Sequence, residues 1–295
     1  MARTDFETIL LDIEDGIATL TLNRPEKMNA YTEQMRRDVI AAFDETDADD
    51  DVRVVIVTGA GRAFCAGADL SQGAKTFDYA KRADRTDNVD RGGVEHLRDG
   101  GGRTTLRIFD SLKPVIAAVN GAAVGVGVTM QLAMDIRIAS TDARFGFVFN
   151  RRGINPEACS SWFLPRIVGV STALEWCYSG RVFPASEALE RGLVRSLHAP
   201  EELMPAARAI AREIADNTAP VSNALTRQMM WRMLGADHPM EAHKIDSRAV
   251  YSRGASADAK EGVSSFVEKR PAVFPGKVST DMPDFVPWWK ERRFE

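Results

Sequence analysis

The sequence predicts an α/β protein. Three observations carry this: the apolar runs "VRVVIVTG", "PVIAAVNG" and "IRIAS" read as buried strands, helical patterns fall between them, and nearly every segment beyond Ser160 reads as helix. Strand, helix and strand in that order are the mark of an α/β chain.

Residues 6 to 22 alternate on both sides of "EDG", with Ile17, Thr19 and Thr21 on one face and Ala18, Leu20 and Leu22 on the other, which predicts a hairpin. "NRPEKMNAY" then leaves as a loop. Thr32 is placed to cap a helix whose Met35, Val39, Ala42 and Phe43 recur at helical spacing, up to the acidic "DETDADDD". "VRVVIVTG" follows as a buried strand. From about Ser71 to Arg103 the composition turns to Gly, Asp, Arg and Lys without sustained periodicity, which predicts a mobile surface insertion. After it come a short helix (Leu106, Ile108, Phe109), the strand "PVIAAVNG", a Gly-spaced turn, a helical "VTMQLAMD" and the strand "IRIAS". The helices beyond Ser160 have no evident strands to cover, so they are expected to form a helical layer or to pack against another subunit. The aromatic, Pro-interrupted tail "DMPDFVPWWKERRF" reads as a strap over the subunit surface.

A chain of 295 residues with 44% apolar and 27% charged residues is ordinary for a soluble globular protein large enough to bury a sizeable core. Its 38 basic and 42 acidic residues leave a net charge of −4, which argues against a nucleic-acid surface. Cys65, Cys159 and Cys177 are odd in number and lack metal-ligand spacing, so reduced thiols in a cytoplasmic protein without bound metal are expected. No leader-like segment and no apolar run of about 18 residues is found, which predicts neither secretion nor a membrane span.

Chemistry concentrates in three stretches. "VTGAGRAFCAGADL" runs from a strand into a Gly-rich turn; Gly59 and Gly61 suggest a dinucleotide motif, but the third glycine position is Phe64, and no tyrosine has lysine four residues on. What is left is a tight turn over Ala66, Gly67, Ala68, Asp69 and Leu70, in which Gly67 serves the turn and the Ala68 amide is a candidate donor to a ligand. In "NGAAVGVGVTMQLAMD", Gly121, Gly125 and Gly127 either allow close helix–strand packing or leave the Val126 amide free to join Ala68 in a two-donor oxyanion hole. The third stretch, "RRGINPEACSSWFLPRIVG", sets Glu157 among apolar residues; by itself Glu157 reads as a first-turn carboxylate after Pro156.

Taken in order, "NRPEKMNAY", "GRAFCAGADL", "KPVIAAVNGAAVGVGVTMQLAMDIRIAS" and "FVEKRPAVFPGK" resemble the enoyl-CoA hydratase/isomerase, or crotonase, superfamily from about Ile17 to Lys277. The resemblance implies a crotonase-like spiral of ββα units over 1–200 with the insertion near 71–103, and a C-terminal helical trimerisation region with the tail over 201–295. It also implies a homotrimer or a dimer of trimers. The substrate would be an acyl-CoA thioester, its carbonyl oxygen on the amides of Ala68 and Val126, beside Gly125. Coenzyme A is then part of the substrate, and no separate cofactor is expected. Its adenosine part would lie near Lys27, Met28 and Ala30 and the turn of Ala66, Gly67, Asp69 and Leu70, with Lys27 or Arg24 on a phosphate.

The hydratases of this superfamily place two glutamates at the substrate double bond. Here those positions hold Thr129 and Phe149, neither of which can act as the base. "PEACSSWFLP" instead resembles the "PEGCSS" of the peroxisomal-type Δ3,Δ2-enoyl-CoA isomerases, whose single glutamate matches Glu157, and "AVGVGVTM" is similar to their "AVGISVTL". The 4-chlorobenzoyl-CoA dehalogenases put an aspartate nucleophile at the same place, so position alone does not fix the reaction. An isomerase with Glu157 as base and acid, walled by Phe149 and Trp162, is the expected activity. Hydration with a further group aiding Glu157, and a non-catalytic or RNA-binding member, stand as alternatives. Glu95 and His96 in the insertion read as solvated loop residues.

Overall fold

The computed structural model describes residues 6–79 and 94–295. A hairpin opens the chain: β1 (Ile9–Glu14) and β2 (Ile17–Leu22) pair antiparallel across Asp15 and Gly16. Both turn residues take positive φ (48° and 77°), which matches the twist of the strands. Next come α1 (Glu33–Ala48), whose first turn is closed by Thr32 accepting from the Met35 N–H at 3.1 Å, then β3 (Val54–Gly59) and β4 (Ala63–Cys65). The chain continues through α2 (Gly100–Phe109), β5 (Val115–Val119), β6 (Ala122–Val124), α3 (Val126–Thr129), β7 (Ile136–Ser140), β8 (Arg144–Gly146), α4 (Ser160–Val168) and α5 (Val170–Ser179). After these lie β9 (Val182–Pro184), α6 (Ala185–Glu190), β10 (Ser196–His198), α7 (Leu203–Asn217), α8 (Pro220–Met233), α9 (Pro239–Gly254), α10 (Ala257–Glu268) and α11 (Val278–Asp281).

Two sheets form, ordered β1-β2-β3-β5-β7-β10 and β4-β6-β8-β9. In β3-β4-α2, β5-β6-α3 and β7-β8-α4 the first strand joins the large sheet and the second the small one. Each turn of the chain thus adds one strand to each sheet in parallel, and the ββα units advance as a spiral. The central strands β3 and β5 of the large sheet are buried on both sides, which is why "VVIV" is a continuous apolar run rather than an alternating one. Val55 and Val57 point into the main core with Leu20, Leu22, Val39 and Phe43, while Val54 and Ile56 join Ile17 and Ile116 on the opposite face.

That opposite face corrects the expectation that the late helices cover no strands. Leu203, Ala207, Ala211 and Ala215 of α7 recur along one stripe and are buried against Ile17, Val54, Ile56, Ile116, Ala118 and Ile138. Small alanines let this helix lie close to the sheet. Two short strands, β9 and β10, also interrupt the helical half and complete the edges of both sheets. In α8, buried Arg227 pairs with Asp135 at 2.9 Å and donates to the carbonyls of Ile108, Phe109, Ser111 and Ala133, joining α8 to the end of α2. The tail is the expected strap: Phe285 packs near Ile245 and Ala249, Trp288 near Met229 and Met233, and Arg232 stacks 3.4 Å from the Trp289 ring centre. No described helix is long and apolar enough to cross a membrane.

The insertion also ends earlier than its composition suggests. "GGGR" is the first turn of α2, with Asp99 as N-cap accepting from the Gly102 N–H. Residues 80–93, on which the reading of a mobile segment chiefly falls, lie outside the described residues.

Candidate active site

The parallel pairing of β4 with β6 sets Cys65 opposite Ala123. Ala68 and Val126 each lie three residues beyond that pair, so the two turns leave the small sheet side by side. The approach is close: a Cβ on Gly67 would lie 3.1 Å from the Val124 carbonyl oxygen, and one on Gly125 3.8 Å from the Gly67 Cα. Gly67 (φ 108°) and Gly125 (φ 55°, ψ −125°) hold conformations that disfavour a side chain. Among the described residues the N–H groups of Ala68 and Val126 donate to no protein acceptor, whereas Asp69 N–H bonds to Tyr31 O and Gly125 N–H to Gly146 O, both at 2.9 Å. Two backbone donors therefore face one cavity, the arrangement that stabilises a developing oxyanion.

The cavity has a volume of about 740 Å³. Ala66, Gly67, Ala68, Asp69, Leu70, Gly125, Val126, Phe149 and Glu157 all line it. Lys27, Met28 and Ala30 do not; their 3-10 turn packs beneath the Ala66–Gly67 turn, with Ala66 N–H bonded to Met28 O at 3.0 Å, and Lys27 is exposed. Arg24 reaches the cavity, held by Ala30 O at 2.5 Å and Asp69 at 3.1 Å. Against the desolvation of partial burial, hydrogen bonds from Ser71 and Arg24 keep the Asp69 carboxyl below its usual range. Glu95 pairs with Arg98 at 3.1 Å and, with His96, lies outside the cavity lining.

Trp162 is not part of the wall. Ala158 and Cys159 both adopt left-handed conformations (φ 54° and 56°), which reverse the chain between Glu157 and α4. That reversal turns Trp162 into an aromatic cluster with Phe109, Phe163 and Trp231, at ring-centre distances of 6.1, 4.6 and 6.5 Å. Phe149, 4% exposed, does reach the cavity, together with Val148, Ile154 and Pro156.

Glu157 lines the cavity with a buried carboxyl. Its Oε1 accepts from the Thr129 hydroxyl at 2.6 Å. Its other oxygen lies over the backbone of Gly101, where a Cβ would come within 2.0 Å of Oε2 and 3.1 Å of a Val126 methyl. Burial pushes the Glu157 carboxyl up to about 8; the facing Asp99 carboxylate acts in the same direction and the Thr129 hydrogen bond opposes it. A carboxyl tuned near neutral pH can both take and return a proton.

Thr129, Gly101 and Asp99 are the site residues that sequence reasoning missed. Thr129 reads as a lost carboxylate, yet its hydroxyl donates to Glu157. The "DGGG" run reads as part of the insertion, and nothing in it says what its glycines leave room for. We expect Gly101→Ala to fold normally, since alanine favours the helix. The methyl group would displace the Glu157 carboxyl, and turnover should fall roughly 10- to 100-fold, as for a misplacement of about 1 Å; unchanged steady-state kinetics would refute this.

The model of the family described as enoyl-CoA hydratase/isomerase matches residues 12–277. The enoyl-CoA hydratase ACTT3 of Alternaria alternata is 40% identical over 257 residues, 87% of this chain and 82% of that protein. The 1,2-epoxyphenylacetyl-CoA isomerase of Escherichia coli K12 is 35% identical over 287 residues, 92% and 99% of the two chains. Among solved structures, an enoyl-CoA hydratase from Bacillus anthracis superposes with a TM-score of 0.81 at 30% identity, covering 92% of this chain and 100% of that one. The chain belongs to the enoyl-CoA hydratase/isomerase family.

Proposed function

We propose that this enzyme moves the double bond of an enoyl-CoA from C3 to C2, with Glu157 as the proton carrier. The observation behind this reading is that Glu157 presents its carboxyl to the cavity, while the places of the two hydratase glutamates hold Thr129 and buried Phe149. In the proposed cycle the thioester oxygen sits between the Ala68 and Val126 N–H groups. Glu157 removes a proton at C2, the electron pair passes to the oxygen as a dienolate held by the two donors, and the same carboxyl returns the proton at C4. Phe149 keeps water from this path; isomerisation needs none. Coenzyme A enters as part of the substrate, no further cofactor takes part, and a CoA phosphate meets Arg24, which lines the cavity, or exposed Lys27 outside it.

Hydration of a 2-enoyl-CoA is the second reading. It is favoured by Asp99, a second carboxylate beside Glu157. Assays of 3-enoyl- and 2-enoyl-CoA substrates side by side decide: double-bond migration without water addition supports the first, and 3-hydroxyacyl-CoA as the main product sinks it.

The assembly we propose is a trimer or a dimer of trimers built on the C-terminal helices. Val250 and Tyr251 of α9 and Val263 and Phe266 of α10 present apolar side chains to the surface, Phe266 at 84% exposure. Surface of that kind on a folded chain marks an interface. A solution mass of three or six chains by light scattering checks this; a monomer would exclude it. The three unpaired thiols accord with a reducing, cytoplasmic setting.

A further inference from the structure

Asp99 reaches the cavity across the same glycine run as Glu157. A Cβ on Gly102 would lie 2.6 Å from Asp99 Oδ2, just as one on Gly101 would strike Glu157 Oε2. Glycines at 101 and 102 are what allow two carboxyl groups to meet there. Asp99 Oδ1 accepts from the Gly102 N–H, closing the first turn of α2, and from the Ala158 N–H at 3.3 Å, in the turn that carries Glu157. The start of α2 and the turn after Glu157 are thus fastened to one carboxylate, and the two carboxyl groups face each other. A negative charge so placed beside Glu157 disfavours its ionisation.

We propose that Asp99 is a positioning residue for the proton carrier: its carboxylate fixes the Glu157 turn and, facing the Glu157 carboxyl, strengthens it as a base. This rests on the reading of Glu157 as that carrier. With both groups ionised, the C2–H bond breaks, its electron pair goes to the thioester enolate and the proton arrives on Glu157 beside the Asp99 anion. On return the O–H bond breaks, the C4–H bond forms and Asp99 is unchanged. A carboxylate facing a second negative charge is a stronger base than one alone.

The other titratable groups around the pair are Tyr31, Cys65 and Cys159. Each is pushed up chiefly by burial, Cys65 to about 12 and Cys159 to about 11, so none competes for the proton near neutral pH. The charged groups nearby are already engaged or peripheral: Glu33 is bonded to Arg36, Arg98 to Glu95, and Arg152 lies on the exposed rim.

The working form is the ionised one, so the rate should be full above about 8 and fall as the pH drops through that value. Asp99→Asn keeps an acceptor for both backbone N–H groups and removes the charge; Asp99→Ser keeps the helix cap by another route. In each, the acid limb of the kcat/KM profile should move to lower pH by roughly one unit or more, with a lower plateau from the weaker base. The readout that does not depend on the reaction is ¹³C NMR of the side-chain carboxyls in the full-length protein. Wild type should show one carboxyl titrating near 8 that vanishes in Glu157→Gln and moves to lower pH in both Asp99 variants. An unmoved Glu157 titration in folded Asp99 variants, or no carboxyl titrating near 8 in wild type, overturns the proposal. Persistent activity of Glu157→Gln refutes instead the reading of Glu157 as carrier, and leaves the titration to decide the pairing on its own.

Discussion

Glu157→Gln should abolish turnover, lowering kcat by roughly 1,000-fold or more, at the upper range for loss of a general acid–base group. Glutamine has the same shape, can still accept from Thr129 and can donate its amide to Asp99, so acyl-CoA affinity and solution mass should stay near wild type. Isothermal titration with a saturated acyl-CoA and single-turnover kinetics separate binding from chemistry; retention of most activity would remove Glu157 from the mechanism. The same variant reports on stability. The Glu157 carboxyl lies at about 8 when folded, against an ordinary value of 4.5, so the folded chain holds a proton that the unfolded chain has lost between those limits. Stability linked to this group is therefore present below about 4.5 and is lost as the pH rises to about 8. From pH 5 to pH 9 wild type should lose on the order of 4 kcal/mol more than Glu157→Gln in denaturant melts. Parallel pH curves for the two proteins would show that Glu157 is not held protonated by the fold.

Val126→Pro should lower the rate by roughly 100-fold or more, in line with loss of one oxyanion donor, while a folded oligomer is retained. Val126 is the first residue of α3, where a proline ring fits and no intrahelical hydrogen bond is lost. The preceding residue is the usual obstacle, because proline disfavours the α region there. Gly125, at φ 55° and ψ −125°, lies in the mirror image of the polyproline region and is not displaced. The ring removes the donor and puts a methylene in its place. Val126→Ala is the control: it keeps the N–H and trims a side chain that is 6% exposed, so its rate should stay close to wild type. A soluble, correctly assembled Val126→Pro enzyme with near-normal turnover would show that this amide does not hold the thioester oxygen.

What could be read from the sequence was whatever is encoded within one contiguous stretch. The hairpin over Asp15 and Gly16, the Thr32 cap, the strand "VVIV" and the two amide-bearing turns depend on neighbours a few residues away; the left-handed bend after Glu157 was not read, and Glu157 lies before α4 rather than in its first turn. Glu157 itself was legible because the motif around it is local. The rest depended on contacts between distant segments. Residues 203–217 read as helix without revealing the sheet face that they cover, and "DGGG" read as part of an insertion, with nothing to say that it starts α2 or that Glu157, 58 residues after Asp99, would lie across it. Trp162 lies five residues from Glu157 and still points elsewhere, because α4 begins only after the chain has reversed. A side-chain pattern fixes which face of an element is apolar, and a backbone turn fixes where its donors point. Which two carboxyl groups face each other is decided by how the ββα units stack, for only packing brings the start of α2 and the turn after β8 to within hydrogen-bond distance of each other.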